Sequence, residues 1–156
     1  MNRKWRLYLD TSVFGGCFDF AQGWVEDSRR VIDAAVQGIA VVYYSDAVAR
    51  ELKDAPAHVR EMWNSIPLFC REEVALTPDI KALSEAYISA GVVGKGSVDD
   101  TLHVAAATVA RADAIVSWNF KHMVRLDRIK GYNQVNLSLG YGIITIVCPT
   151  EVRFDE

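Results

Sequence analysis

The sequence predicts an α/β sandwich on a parallel sheet, and three observations carry that prediction. Four short runs rich in Val, Ile and Tyr are apolar on successive residues, the pattern of strands covered on both faces. Helical patterns lie between them, an alternation that implies right-handed crossovers. The 156 residues, 51% hydrophobic and 24% charged, suit a single domain over 1–156 and exclude a disordered or collagen-like chain.

The elements follow in order. Leu7-Tyr8-Leu9 is the first strand, stopped at Asp10. Val25 to Gln37 is a helix ending at Gly38, where a glycine suits the left-handed turn that closes a helix. Ile39 to Tyr44 is the second strand, followed by helices Asp46 to Lys53 and Ala57 to Ser65. Asp79 to Ala90 is a helix ending at Gly91, and Val98 to Arg111 is the next. Ala114 to Ser117 and Ile143 to Val147 are the remaining strands. Four prolines are scattered as loop punctuation, and no internal repeat or linker divides the chain.

Composition narrows the function classes. A net charge of -3 argues against a broad basic face for duplex DNA and leaves room only for a local cluster. Cys17, Cys70 and Cys148 are odd in number and lack a C-x-x-C pair, so they read as buried thiols rather than a disulfide framework or a zinc site. No apolar run approaches the roughly 20 residues of a membrane span. Met1-Asn2-Arg3-Lys4-Trp5-Arg6 is basic, but the apolar stretch after it stops at Asp10, which disfavours a signal peptide and favours the cytoplasm.

In open α/β sheets ligands bind beyond the carboxyl ends of the strands, so the site is sought just after each strand. Asp10 follows the first strand, Asp46 and Glu51 the second, and Asn119 the strand ending at Ser117. Asp99 and Asp100 open the helix Val98 to Arg111, whose apolar stripe is Val98, Leu102, Ala105, Ala106 and Val109. Each acid has a plainer reading. Asp10-Thr11-Ser12 is ordinary turn or cap chemistry, Ser97 with Asp100 fits a capping box, and Glu51 beside Arg50 and Lys53 fits a surface salt bridge. His103 reads as packed or paired with Asp99, one turn away. If Asp10, Glu51 and Asp100 converge, like charges about 4 Å apart repel by roughly 4 kcal/mol per pair at an effective dielectric near 20, which calls for a cation or a proton. Carboxylate oxygens without a Cys/His set select a hard ion, Mg²⁺ or Mn²⁺.

Four segments together resemble the PIN-domain family, in particular its small single-domain members of the VapC-like toxin type. They are Leu7-Tyr8-Leu9-Asp10-Thr11-Ser12-Val13-Phe14, Tyr44-Ser45-Asp46-Ala47-Val48-Ala49-Arg50-Glu51-Leu52, Asp99-Asp100-Thr101-Leu102-His103-Val104-Ala105-Ala106-Ala107 and Ile115-Val116-Ser117-Trp118-Asn119-Phe120-Lys121-His122. The resemblance implies a three-layer α/β/α sandwich with a central parallel sheet. It also implies a metal-dependent ribonuclease site with Asp10, Glu51 and Asp100 as its acids. The family's fourth acid, in a Thr-x-Asp pattern, falls on Asn119 here, so one formal charge is lost and any second metal binds more weakly.

On that reading Asp10 and Asp100 bind Mg²⁺ or Mn²⁺ directly, Glu51 binds through water or positions the attacking water, and Asn119 completes the shell. Thr11, Ser12, Asp99, Ser117, Lys121 and His122 are supporting candidates. Asp113 belongs to the opposite sheet edge. The basic run Lys121, His122, Arg125, Arg128 and Lys130, with Trp118 and Phe120 beside it, either contacts single-stranded RNA or is a solvated face with Trp118 in the core. The implied partners are RNA and, from the toxin-antitoxin resemblance, a cognate antitoxin. Val13-Phe14 and Phe18 to Phe20 either form part of the core or serve a homodimer or antitoxin interface.

Gly94-Lys95-Gly96-Ser97 lacks the full phosphate-loop spacing. A haloacid-dehalogenase-like phosphatase needs a second acid two residues after Asp10, where Ser12 stands, and a receiver domain needs an acidic neighbour that Asp10 lacks. A PIN-like binding module whose Asn119 marks lost catalysis stays open.

Overall fold

The computed structural model describes residues 3–154. Met1, Asn2, Asp155 and Glu156, which the expectations for the amino-terminal segment and for a domain over 1–156 include, lie outside the described residues. The chain runs β1 (Trp5–Leu9), α1 (Thr11–Gly16), α2 (Val25–Val36), β2 (Ala40–Ser45), α3 (Asp46–Lys53), α4 (Ala57–Ser65), β3 (Arg71–Val74), α5 (Pro78–Ser89), α6 (Val98–Val109), β4 (Ala114–Val116), α7 (Leu126–Ser138) and β5 (Thr145–Val147). The five strands form one parallel sheet in the order β3-β2-β1-β4-β5. With helices on both faces this is the expected three-layer α/β/α sandwich.

Strand periodicity divides the core in two, because successive side chains point to opposite faces. Leu7, Leu9, Val42 and Val116 pack with Val13 and Phe14 of α1, Ile32 of α2 and Leu52 of α3. Tyr8, Tyr43, Ile115 and Ile146 face the other way, onto Leu83 and Tyr87 of α5, Val104 of α6 and Tyr132 of α7. Gly38 takes φ +79 between α2 and β2, a left-handed conformation that costs glycine nothing.

The differences from the sequence reading have local causes. α1 was read as a turn or cap because Gly15 and Gly16 weaken its helical pattern. β3, Arg-Glu-Glu-Val, is an edge strand whose polar residues carry no apolar signal. α7 begins inside the basic run at Leu126 and includes Gly131 and two asparagines, so its periodicity is faint. β5 starts at Thr145 rather than Ile143, and Ile39 precedes β2 with its side chain exposed.

The capping box at α6 is also absent, since Ser97 makes no side-chain cap bond. The Val98 stripe is displaced as well. Val98 is exposed, while Thr101, Val104, Ala105 and Thr108 are buried, with Ser84 and Thr101 hydroxyls bonded at 2.6 Å between α5 and α6. Cys17 and Cys70 are buried free thiols, and Cys148 is half-buried. Among the described residues no helix is long and apolar enough to cross a membrane.

Candidate functional site

The sheet order reverses at β1. From there the chain builds outward to β2 and β3, then returns to add β4 and β5 on the other side. β1 and β4 run in register, with Leu9 opposite Val116, so Asp10 and Ser117 are the first residues beyond the paired ends. Such a switch point leaves a crevice at the carboxyl ends of the strands. The hydroxyl of Ser117 bridges it, donating to Asp10 Oδ2 at 2.5 Å.

Asp10 is the best-held acid. Ser12 Oγ donates to its Oδ1 at 2.5 Å, and Ser12 in turn accepts the Trp118 backbone N–H at 2.9 Å. Burial pushes the Asp10 carboxyl above its ordinary range, while the hydroxyls of Ser117 and Ser12 and the nearby His103 pull the other way. Asp10 precedes α1 but makes no side-chain cap bond, so its oxygens serve the crevice rather than the helix.

Glu51 lies beside Asp10 through the adjacent residue, since the Thr11 hydroxyl donates to Glu51 Oε2. The salt bridge considered for Glu51 is not formed among the described residues. Arg50 instead pairs with Asp46, one turn earlier on α3, at 2.8 Å. Asp46 thus sits in an ion pair on an exposed rim.

Asp100 is half-buried, and after burial its charge helps raise the hydroxyl pKa of Tyr132 on α7. No hydrogen bond joins it to Asp10 or Glu51 among the described residues. Asp99, the neighbouring acid, lines a cavity of about 280 Å³ together with Glu51, Tyr8 and His103. A rotation of about 100° per residue explains the split, since adjacent acids on a helix face different neighbours. The expected Asp99–His103 pairing is not made. His103 Nδ1 is bonded to the Tyr8 hydroxyl at 2.7 Å, with the two rings edge-on.

Asn119 connects to the crevice by its backbone, donating N–H to Ser117 Oγ at 3.0 Å. Its Oδ1 accepts the His122 N–H at 3.0 Å and so closes the turn after β4. Lys121 is exposed, while His122 is half-buried with its carbonyl accepting from Arg128 at 3.2 Å. Trp118 is core: it stacks on Trp24 at 4.6 Å and donates from Nε1 to Ser28 at 2.7 Å. Phe120 beside it is 48% exposed and is the aromatic group a ligand could reach. Val13 and Phe14 are fully buried in the core, so they offer no interface, whereas Phe20 is exposed. Asp113 sits at the opposite edge as expected, accepting the Arg6 backbone N–H at 2.8 Å.

A metal at this edge can be tested on the donor set. Asp10, Glu51 and Asp100 offer oxygen alone and form no ion pair among the described residues, whose four salt bridges all lie elsewhere. A desolvated carboxylate with no cationic partner has an unmet demand for positive charge. Yet no group of three or more His, Cys, Asp or Glu side chains that could hold a metal ion occurs among the described residues. The fit is therefore one of chemistry and charge, not of a closed cage.

Sequence reasoning passed over Tyr8 and undervalued His103. The signal for His103 was its position one turn from Asp99. Tyr8 carried none, since a strand residue shows its partner only once α6 is packed against the sheet. The fold and this edge define an α/β/α protein with a hydroxyl-held acid at the switch point of a parallel sheet. Compared with family models and with curated proteins, the chain matches none.

Proposed function

We propose that this chain is a divalent-cation-dependent ribonuclease of the PIN-domain type, acting in the cytoplasm as the toxin of a toxin-antitoxin pair, with RNA as substrate and a homodimer as its working form. The observation that carries this reading is the half-buried Asp10 carboxylate at the switch point, bonded by Ser12 and Ser117 and in no salt bridge among the described residues.

Asp10, Asp100 and Glu51 would hold Mg²⁺ or Mn²⁺. Such an ion supplies positive charge against phosphoryl oxygens and acidity to water. The protein's own groups do the rest. Ser12 and Ser117 fix both Asp10 oxygens, which keeps the carboxylate from swinging as charge builds on the phosphate. Glu51, which the Thr11 hydroxyl bonds, would position the attacking water. Asn119 adds no charge, and its turn with His122 holds Ser117 in position. Phe120 offers a face on which an RNA base can stack.

A PIN-like binding module is the second reading. Asn119, in place of an acid and with Oδ1 committed to His122, favours it. Purified protein incubated with RNA and Mn²⁺ separates the two. Cleavage that disappears in Asp10→Asn and in Asp100→Asn, with both variants folded, supports the nuclease. Cleavage persisting in both variants points to contamination and overturns it.

A further inference from the structure

We infer that the cavity beside Glu51 is a base-recognition pocket that takes a guanine of single-stranded RNA, read by Asp99 and His103. This rests on the ribonuclease reading for the source of the base, and it adds a specificity site to that reading.

Size is the first argument. At about 280 Å³ the cavity is at the small end of the roughly 300–1,000 Å³ common for small-molecule sites, room for one planar heterocycle rather than a dinucleotide. Its walls are aliphatic, from Val74, Leu76, Ile80 and Leu102. Leu76 is 59% exposed at the mouth, an apolar surface that core packing leaves uncovered.

Charge decides which part of a nucleotide enters. Asp46, Glu51 and Asp99 line the cavity, and Arg50 is already paired with Asp46. That balance repels a phosphate and attracts N–H donors, so a nucleotide enters base first and leaves its phosphate outside. Glu51 is shared between the cavity and the Asp10 edge, where Thr11 holds it. A base in the cavity would thereby hold its flanking phosphodiester beside the acids.

Hydrogen-bond order then selects the base. Asp99 and His103 stand one helical turn apart on α6 and both line the cavity. Asp99 makes no hydrogen bond or ion pair among the described residues, so both carboxylate oxygens are open acceptors. His103 is fixed differently. The Tyr8 hydroxyl meets His103 Nδ1 at 2.7 Å, and we take Tyr8 as the donor, which puts the imidazole proton on Nε2, where a base could accept it. The pocket presents two acceptors beside one donor. Guanine matches with two N–H donors, on N1 and its amino group, beside the O6 acceptor. Adenine and cytosine offer one amino donor beside a ring acceptor, and uracil one N–H between two carbonyls, so none of these satisfies the carboxylate twice.

The test is a ¹H–¹⁵N titration of the metal-free full chain with guanosine, inosine and uridine, which involves no cleavage. Guanosine is expected to shift the Leu76, Leu102 and His103 amides saturably, inosine to bind about five- to tenfold more weakly, and uridine to leave them unmoved. Asp99→Asn, at an exposed position in the first turn of α6, should weaken guanosine about tenfold or more with unchanged circular dichroism. No saturable shift, equal response to uridine, or undiminished affinity in Asp99→Asn overturns the pocket. Cleavage mapping keeps the two readings apart. RNA cut by Mn²⁺-loaded protein without guanosine binding removes the pocket and leaves the nuclease. Guanosine binding without any cleavage keeps the pocket and removes the nuclease.

Discussion

Ser117 Oγ donates to Asp10 Oδ2 at 2.5 Å, tying the end of β4 to the end of β1 across residues 107 positions apart in the chain. The bond answers part of the cost of burying a carboxylate. In Ser117→Ala that oxygen loses its donor and Asn119 N–H loses its acceptor. Unmet buried groups of this kind cost about 1–3 kcal/mol each, so urea denaturation at pH 7 should show a loss of about 2 kcal/mol or more. A variant as stable as wild type would mean that solvent already serves Asp10.

The pH dependence follows from the same residue. Burial raises the folded pKa of Asp10 above its ordinary value, so folding takes up a proton between the two values. Stability from this group is lost as pH climbs through that window and stays lower above it. Asp10→Asn should therefore be more stable than wild type at pH 7, with the gap closing near pH ~3–4, where both side chains are neutral. Denaturant midpoints across that range check it, and a gap that widens toward acid contradicts it.

A bound cation should reverse that penalty. At a concentration about one hundred times its Kd, a ligand specific to the folded state adds about 2.7 kcal/mol. Mn²⁺ should raise the melting temperature of the wild type, do so much less in Asp100→Asn, and leave Asp10→Asn unmoved. Equal shifts in all three would place the binding elsewhere.

Gly16 is a packing requirement on the same edge. A Cβ there would collide with Ser28 Oγ and lie 2.7 Å from Trp118 Nε1, the pair whose hydrogen bond fixes the indole. Trp118 sits between Ser117 and Asn119 and cannot move alone. Gly16→Ala should cost about 1–3 kcal/mol by overpacking and should lower RNA cleavage as well, through displaced Ser117. Thermal melts with cleavage assays at a temperature where the variant is folded separate the two effects.

The doubly covered strands β1, β2 and β4 were legible because each is apolar on both faces, and α3 and α4 because their polar and apolar positions alternate at helical spacing. β3 was hidden by its edge position, α1 by two glycines and α7 by its asparagines and basic residues. At the site, strand-end logic found Asp10, Glu51 and Asn119 one at a time, with Ser117 only as the end of its strand. What joins them was not legible, since Ser12 bonding Asp10 while accepting from Trp118 requires β1 and β4 to lie in register. The choice between Asp99 and Asp100 for the cavity also depends on how α6 rolls against α5, where the buried Ser84–Thr101 hydroxyl pair replaces an apolar contact. His103 was set aside because its partner is a strand tyrosine, not the acid one turn away.

The Tyr132 hydroxyl is a buried polar group whose removal should help. Its side chain is fully buried, its ring meets Tyr87 edge-on at 4.8 Å, and its oxygen finds no partner among the described residues. Burial first, then the charge of Asp100, push its pKa up to about 12 against the pull of Arg128, so it remains a protonated, unbonded phenol. Tyr87 contrasts with it, because its hydroxyl donates to Asn136 Oδ1 at 2.5 Å. Tyr132→Phe should gain about 1 kcal/mol, or roughly 2–4 °C in melting temperature, because only an unmet donor is lost. Tyr87→Phe should lose about 1–3 kcal/mol, because it strands the Asn136 oxygen. Urea midpoints at constant slope measure both, and a Tyr132→Phe protein less stable than wild type would show that the hydroxyl is bonded in solution.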